Sequence, residues 1–254
     1  MRPSGSVSTT EGGSAPTRRR GSLAALGGGS YLALVVWVAT LAGCRPAARP
    51  TAPERGGFAP IGAAEFAGAA ARTLPGGSEV VSVRWRFRDP SLEVSGRGAV
   101  RVTPPDSLRV DVRGPLGFGR GTLVLTGTSA WADPEALVRQ VMPGRHFIWA
   151  MLGVLRAPDS ALTFEAAGDA ARRFLRVAEP DGASTVFELR GDTLVGAVRM
   201  REDRVVGRLT LARDGGGRVA HADAEDLERN ARLEFNIQSR TPSSAFPAGV
   251  WRHP

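Results

Sequence analysis

The 254-residue sequence contains no lysine, a single cysteine and only three histidines. The lone cysteine, Cys44, has no partner for a disulfide within the chain. The glycine-rich stretch 114–121 has no lysine to reach a phosphate group, and no helix is predicted directly after it, which excludes a phosphate-binding loop. What the sequence has in quantity is arginine, which accounts for all 33 basic residues.

The arginines are not gathered into one basic segment. Residues 44–254 carry 29 arginines against 24 acidic residues, a net charge of +5. An arginine-only basic composition is typical of a GC-rich genome. Here the arginines alternate with apolar residues, as on the solvent-facing side of a sheet. We therefore expect no nucleic acid partner, in spite of the excess of positive charge.

The N-terminal region contains a membrane-targeting segment. Arginines at 18–20 are followed by a Gly/Ser break and by an apolar run over 31–42, which is the order of a bacterial signal peptide. The run ends on four residues that resemble a lipobox: Leu41, Ala42, Gly43 and Cys44. Small side chains at Ala42 and Gly43 let a peptidase approach the backbone, and the Cys44 thiol can form the thioether to a lipid. We predict a lipoprotein signal over residues 1–43 and acylation of Cys44.

The alternative is a transmembrane anchor, because residues 23–43 number roughly 20, about the length that crosses a bilayer. Glycines at 27–29 interrupt this stretch and leave an apolar core of signal-peptide length. Residues 44–60, rich in proline and alanine, are predicted to be a flexible tether. Position 45 is arginine, whereas an aspartate there would resemble an inner-membrane retention signal. The prediction is therefore lipid anchoring at the periplasmic face of the outer membrane.

The predicted folded domain, residues 61–254, begins with a short helix and continues as strands. Apolar side chains recur at near-helical spacing over 61–74, before a proline and two glycines. Apolar and polar residues then alternate in four successive segments separated by turn sequences, which predicts an antiparallel meander. These segments are 81–87, 92–102, 108–112 and 123–126.

Two short helices are predicted to interrupt the strands. Asp133 is a candidate N-cap, with Pro134 at the first helical position, for a helix over 136–141. Residues 146–155 are apolar on nearly every side and too short to span a bilayer, so a second, buried helix is predicted there. Alternation then resumes in six segments, which predict six further strands: 162–166, 174–178, 185–189, 194–200, 205–211 and 233–237.

The fold class predicted from this pattern is mainly β (α+β), in a single domain long enough to bury a sizeable core. Many strands with one polar face and a helical interlude favour a curved, barrel-like antiparallel sheet plugged by short helices. Gly96 and Gly98 are positions where a strand can bend.

The order of these elements resembles the LolA/LolB lipoprotein-localisation family, and its LolB side most. The resemblance rests on the Pro-Leu-Gly sequence at 115–117 after the third strand, on the strand that follows, and on the helical interlude with Trp149 and Gly153. It covers most of residues 61–240. The interval from Trp149 to Gly153 is one residue longer than in the family, and Phe118 adds a second apolar residue after the loop.

The resemblance implies an unclosed antiparallel barrel with a helical lid, and an apolar cavity that takes the acyl chains of a lipoprotein. In LolB-like members a leucine on a protruding loop enters the outer membrane, and the matching residue here is Leu116. Leu116 and Phe118 lie between glycines and are flanked by Arg113 and Arg120, a combination that suits an anionic lipid surface. The alternative is that Leu116 or Phe118 folds back under the edge of the sheet.

Large apolar side chains of the predicted strands and of the second helix are candidates for the inner face of the sheet. An ordinary packed core would use the same residues, so the sequence leaves both a cavity and a solid core open. The candidate cavity-lining residues are Trp85, Phe87, Trp149, Leu152, Phe164, Phe174, Phe187 and Phe235.

We expect no catalytic site, no metal site and no cofactor. Ser129, Asp133 and His146 can be drawn as a triad, but no nucleophile-elbow pattern surrounds the serine. Residues 221–226 contain histidine, aspartate and glutamate, but their spacing matches no standard metal loop, so the segment is interpreted as a solvated turn.

The predicted function is that of a non-enzymatic outer-membrane lipoprotein that binds acyl chains and accepts and inserts lipoproteins. The expected partners are the acyl chains of lipoproteins or other lipids and the inner leaflet of the outer membrane, with a periplasmic carrier protein as the candidate donor. The alternative is a structural or partner-binding envelope lipoprotein whose core is solid.

Overall fold

The structure is a computed structural model that describes residues 57–115, 119–127, 129–142, 145–157 and 161–252. The lipobox residues Leu41, Ala42, Gly43 and Cys44 and the loop residues Leu116 and Phe118 lie outside the described residues. The described strands are β1 (Ala59–Ile61), β2 (Glu79–Arg88), β3 (Glu93–Thr103), β4 (Ser107–Arg113), β5 (Arg120–Thr126), β6 (Ser129–Asp133), β7 (Thr163–Gly168), β8 (Arg173–Ala178), β9 (Ala183–Arg190), β10 (Thr193–Arg201), β11 (Arg204–Arg213), β12 (Val219–Asp226) and β13 (Ala231–Pro242). The described helices are α1 (Ala63–Thr73), α2 (Glu135–Val141), α3 (Arg145–Met151) and a 3-10 helix (Ala248–Trp251).

The thirteen strands form one antiparallel sheet that does not close on itself. Its order is β1-β7-β8-β9-β10-β11-β12-β13-β2-β3-β4-β5-β6. Strands β2 to β6 and β7 to β13 are two meanders, and the long pairing of β13 with β2 joins them. The short strand β1 pairs with β7, so β1 and β6 are the two edges. The mainly β, curved and unclosed architecture predicted from the sequence is confirmed.

The strand predictions are confirmed except for three strands that the sequence reading missed: β1, β6 and β12. Strand β1 includes the last two residues of the stretch predicted to be an unstructured tether. Strand β12 contains residues 221–226, so the interpretation of that segment as a solvated turn is wrong. The reason is that β12 pairs along its length with β11 and β13.

The three α-helices lie near their predicted positions, with corrections at two ends. Asp133 is the last residue of β6 and not an N-cap; Pro134 takes the N-cap position of α2 without a side-chain hydrogen bond. Helix α3 ends at Met151, four residues before the predicted end, and the chain turns at Gly153 with φ of +86°. None of the helices in the described part of the chain is long and apolar enough to span a membrane.

The core lies on the concave side of the sheet, where α3 packs against β10, β11 and β12. Within the described part of the chain, the buried members of this cluster lie between Phe66 and Phe235, so a fragment covering 57–254 contains the core that the structure describes. A smaller cluster of Phe174, Val186 and Val198 lies on the opposite face of β8, β9 and β10.

Strand β4 approaches β3 very closely at two glycines. A Cβ atom on Gly96 would lie 1.9 Å from the Arg113 carbonyl oxygen, and one on Gly98 would lie 2.8 Å from the Asp111 carbonyl oxygen. The Trp85 indole crosses Gly96 and donates a hydrogen bond of 3.2 Å to the Arg97 carbonyl. Only glycine fits where the two strands approach this closely.

Candidate functional site

The concave face of the sheet is lined by the apolar side of the strand alternation. On β2, for example, Val81, Val83, Trp85 and Phe87 are buried, whereas the three arginines between and after them are exposed. Because side chains alternate along a strand, each strand gives one apolar row to this face. The result is a continuous apolar surface across the sheet.

Helix α3 occupies this surface. Five consecutive residues, Phe147 to Met151, are at most 4% exposed, and Trp149 is among the largest fully buried side chains of the chain. Burial of Phe147 to Met151 explains why this part of α3 has no polar residue. The concave face is therefore filled by the protein's own helix.

The predicted cavity-lining residues fall into three groups. Trp85, Phe87, Trp149, Leu152, Phe187 and Phe235 belong to the buried cluster beneath and around α3. Phe164 lies at the margin of this cluster, with its ring centroid 4.8 Å from that of Phe66 in α1.

Phe174 does not belong to the concave face, and its prediction is wrong. It packs with Val186 and Val198 on the opposite face of the sheet, where the Arg172 guanidinium lies 5.0 Å from the ring centroid. Its neighbour Leu175, like Val177, faces the core. Strand β8 has apolar residues on both faces, so the pattern alone left its orientation open.

A cavity of about 230 Å³ lies beside α2 and α3. Its apolar side is formed by Phe87, Phe147, Val206 and Leu233, with Met142 from the end of α2. Its rim is charged, and Arg229 crosses it by donating a 3.1 Å hydrogen bond to the Gln140 carbonyl. An apolar interior with a charged rim admits a chain-like apolar ligand while water stays at the rim.

Polar contacts fix the chain just after α3. The Leu155 amide donates to the Thr73 hydroxyl at 2.8 Å, and Arg240 donates to the Leu152 carbonyl at 3.3 Å. Arg156 donates to the Gly127 carbonyl at 2.9 Å, and its guanidinium lies 5.4 Å from the centroid of the Trp149 ring. The sequence reading missed these contacts because they join residues 29 to 88 positions apart.

Arg213 and Arg240 lie at this end of α3. Arg240 pairs with Glu79 at 2.5 Å, and both side chains are largely buried. Burial lowers the pKa of Arg213 below its usual range, and the nearby charge of Arg240 lowers that pKa further. Arg213 donates hydrogen bonds to the carbonyls of Gly217 and Leu194, so its role is structural.

The loop predicted to contact the membrane connects β4 to β5. The Gly114 amide donates a 2.9 Å hydrogen bond to the Gly119 carbonyl, and Arg113 pairs with Arg120 across the base of the loop. Leu116 and Phe118 themselves lie outside the described residues. The described part of the hairpin is the base of the loop, where β4 and β5 each carry an exposed arginine.

The side chains considered for a catalytic triad or a metal site are either far apart or already hydrogen-bonded to other residues. Ser129 and Asp133 lie at opposite ends of β6. The side chain of His146 is not among those that the structure describes. In β12, Asp223 is hydrogen-bonded to Arg232, and His221 Nδ1 lies 2.9 Å from Asn236 Oδ1. Within the described ranges there is no cluster of three or more side chains that could hold a metal ion.

No protein-family model matches the sequence, and no curated protein matches it. Among solved structures, a domain from Vibrio parahaemolyticus named as an outer membrane lipoprotein-sorting protein is 12% identical, with a TM-score of 0.51. The match covers 74% of this chain and 94% of that one. A LolA superfamily protein from Nitrosomonas europaea is 13% identical, with a TM-score of 0.49 over 76% of this chain and 98% of that one. The Vibrio match shows a shared fold.

Proposed function

We propose that this protein is a non-enzymatic lipoprotein of the outer membrane that binds acyl chains on the concave face of its sheet, and that accepts and inserts lipoproteins. The observation that carries the proposal is that a short apolar helix, and not a second sheet, covers this face. The fold shared with a domain named for lipoprotein sorting supports it.

Helix α3 and an acyl chain can make equivalent contacts. Helix α3 has seven residues, too few to be stable in isolation, so its position depends on apolar packing against the sheet. A chain of about 15 methylenes contributes about 12 kcal/mol on burial, at about 0.8 kcal/mol each. Burial of four or five large apolar side chains contributes a similar amount, at about 1.5–3 kcal/mol each. Exchange of α3 for an acyl chain is therefore nearly balanced.

The cavity beside α2 and α3 is the proposed entrance. Its volume of about 230 Å³ is below the ~300–1,000 Å³ of most small-molecule pockets, so a long chain needs more room than it offers. The additional space comes from movement of α3, whose side chains separate this cavity from the centre of the concave face.

The proposed membrane attachment follows from the sequence. Acylation of Cys44 anchors the chain, and residues 45–56 can extend over about 40 Å before the first described residue. Leu116 and Phe118 at the end of the β4–β5 hairpin are proposed to contact the lipid surface, with Arg113 and Arg120 at the hairpin base.

Uptake of a fluorescent fatty acid by the fragment 57–254 tests acyl binding. We expect saturable fluorescence enhancement that an excess of palmitate reverses, because both ligands compete with α3 for one apolar face. The fragment unfolded in urea is the control for nonspecific partitioning. Absence of saturable uptake by the folded fragment contradicts the proposal.

A second candidate function is a structural or partner-binding envelope lipoprotein. The complete burial of Phe147 to Met151 favours it, because these side chains already fill the concave face. In this case α3 is a permanent part of the core and the function lies on an exposed face or edge of the sheet. The uptake measurement separates the two functions.

Leu116→Glu is expected to leave fatty-acid uptake unchanged and to reduce transfer of the bound ligand to liposomes about tenfold or more. The reason is that burial of one leucine side chain in the lipid contributes about 1.5–3 kcal/mol, and a glutamate at this position does not gain that energy. Transfer is measured by dequenching of the fluorescent ligand. Leu162→Glu is the matched control, since Leu162 is 65% exposed at a site remote in sequence from the loop. Equal transfer by the two variants contradicts the role of the loop.

A further inference from the structure

Four arginines stand in direct register across four neighbouring strands. Arg84 of β2 pairs with Arg97 of β3, Arg97 with Arg113 of β4, and Arg113 with Arg120 of β5. All four side chains are exposed, on the face of the sheet opposite the core. At about 4.8 Å between strands, this arginine row is about 14 Å long.

The arginine row differs from the rest of the same face. Elsewhere on this face arginines have a carboxylate within reach: Arg208 lies 3.5 Å from Glu225, and Arg232 Nε lies 2.7 Å from Asp223 Oδ1. The side chains of the row have no such carboxylate partner among the described residues. An arginine-rich composition explains why these residues are arginines, but not why four of them are aligned without acids between them.

The carboxylate nearest in register is already engaged. Asp111, two residues before Arg113 on β4, accepts hydrogen bonds from Arg109, Arg101 and Thr122. Burial raises the pKa of Asp111, but the hydrogen bonds from Arg109 and Thr122, together with the charges of Arg109 and Arg101, hold the pKa below its usual range. Asp111 therefore stays ionised and neutralises its own neighbours, and the row keeps its charge.

The row does not stabilise the sheet. Like charges directly opposite one another on adjacent strands are destabilising, and here the same sign occurs at four consecutive positions. A structural role would require acids between the arginines. A row of exposed cations that lowers stability is instead suited to bind anions that are not part of the chain.

The surroundings of the row indicate what kind of anion. A shallow groove of about 610 Å³ runs beside it, with Gly98, Ala99 and Thr122 among its lining residues and Val250 of the 3-10 helix at its side. The groove is open and broad, unlike a pocket for one small ion. Arg113 and Arg120 also form the base of the hairpin whose turn carries Leu116 and Phe118. Apolar groove residues such as Ala99 and Val250 beside a cationic row match the interface of an anionic bilayer.

We infer that the arginine row is a docking surface for the phosphate groups of anionic phospholipids in a bilayer. The inference rests on the proposed function only for the choice of a membrane as the partner. Docking along the row lays the outer face of β2–β5 against the headgroups and brings the β4–β5 hairpin to the lipid surface. The attraction falls with salt, because exposed charges are screened.

The test is flotation of the fragment 57–254 with phosphatidylcholine vesicles, with and without phosphatidylglycerol. We expect binding only to the anionic vesicles, reduced about 25-fold in the double variant Arg97→Gln/Arg113→Gln, at about fivefold per arginine. The thermal midpoint of this variant should be equal to or above that of the wild type, because the substitutions remove repulsion within the row.

The matched control is Arg190→Gln/Arg204→Gln, which removes the same charge from two exposed arginines outside the row. It should retain nearly all binding. Equal losses in both double variants, or binding by the row variant at the wild-type level, overturn the inference. Equally tight, row-dependent binding of single-stranded DNA also overturns it in favour of a general polyanion site. Fatty-acid uptake is measured on the same samples: its absence with vesicle binding intact refutes the proposed acyl binding and leaves the docking surface standing.

Discussion

Replacement of Trp149 by alanine is expected to lower the free energy of unfolding of the fragment 57–254 by about 3–5 kcal/mol. Trp149 is 1% exposed at the centre of α3, where its removal leaves a cavity that the surrounding strands cannot fill. The cation–π contact with Arg156, at 5.4 Å from the ring centroid, is lost as well. Urea denaturation followed by circular dichroism measures the change.

The same variant tests whether an acyl chain can take the place of α3. If the chain binds where Trp149 packs, the vacated volume should admit it without displacement of the helix, and the affinity for the fatty acid should rise. Trp251→Ala is the control, because Trp251 lies outside the core and contacts Phe246 at 5.8 Å. It should cost less stability and leave uptake unchanged. A folded Trp149→Ala variant with no gain in affinity contradicts the proposed binding mode.

Gly96→Val is expected to destabilise the fragment by about 3 kcal/mol or more, at the upper end of what overpacking costs. A Cβ atom at this position would lie 1.9 Å from the Arg113 carbonyl oxygen and 3.0 Å from Trp85 Nε1. The first obstacle is backbone, so relief requires β3 and β4 to separate, and the curvature of the sheet decreases. The shift of the urea midpoint measures the effect.

Gly76→Val is the matched control for Gly96→Val. A Cβ atom on Gly76 would meet nothing within 4 Å, and its φ is not in the left-handed region. The control should change stability by no more than about 0.5 kcal/mol. Similar losses at the two positions would mean that β-branching, and not the close approach of β4, destabilises the chain.

The strands that the sequence predicted are those with large inward-facing residues. Strand β12 was missed because its inward positions are Ala222 and Ala224, which give little hydrophobic contrast against Asp223 and Glu225. The structure explains the alanines, since α3 packs on β12 and leaves no room for longer side chains. The same small residues that make room for the helix therefore weaken the hydrophobic alternation by which the strand could have been predicted.

The candidate site was predictable only in part. Trp85, Phe87, Phe187 and Phe235 followed from alternation, because large apolar side chains on strands face the core. Trp149 and Leu152 followed from the apolar run that predicted a buried helix. Phe174 was assigned to the wrong face, since β8 is apolar on both. The contacts that fix the chain after α3, and the alignment of the four arginines, depend on strand pairing, which no local pattern contains.

The order of the strands determines how α3 can move. The segment with α2 and α3 leaves from β6, one edge of the sheet, and returns at β7, which lies beside the other edge strand β1. The segment that contains α3 is thus attached to the sheet at both of its ends. A ligand that enters beneath α3 must displace the middle of this segment while its two ends stay attached. In the proposed mode of binding, the length of chain between β6 and β7, and not the area of the sheet, then limits how thick a ligand can bind.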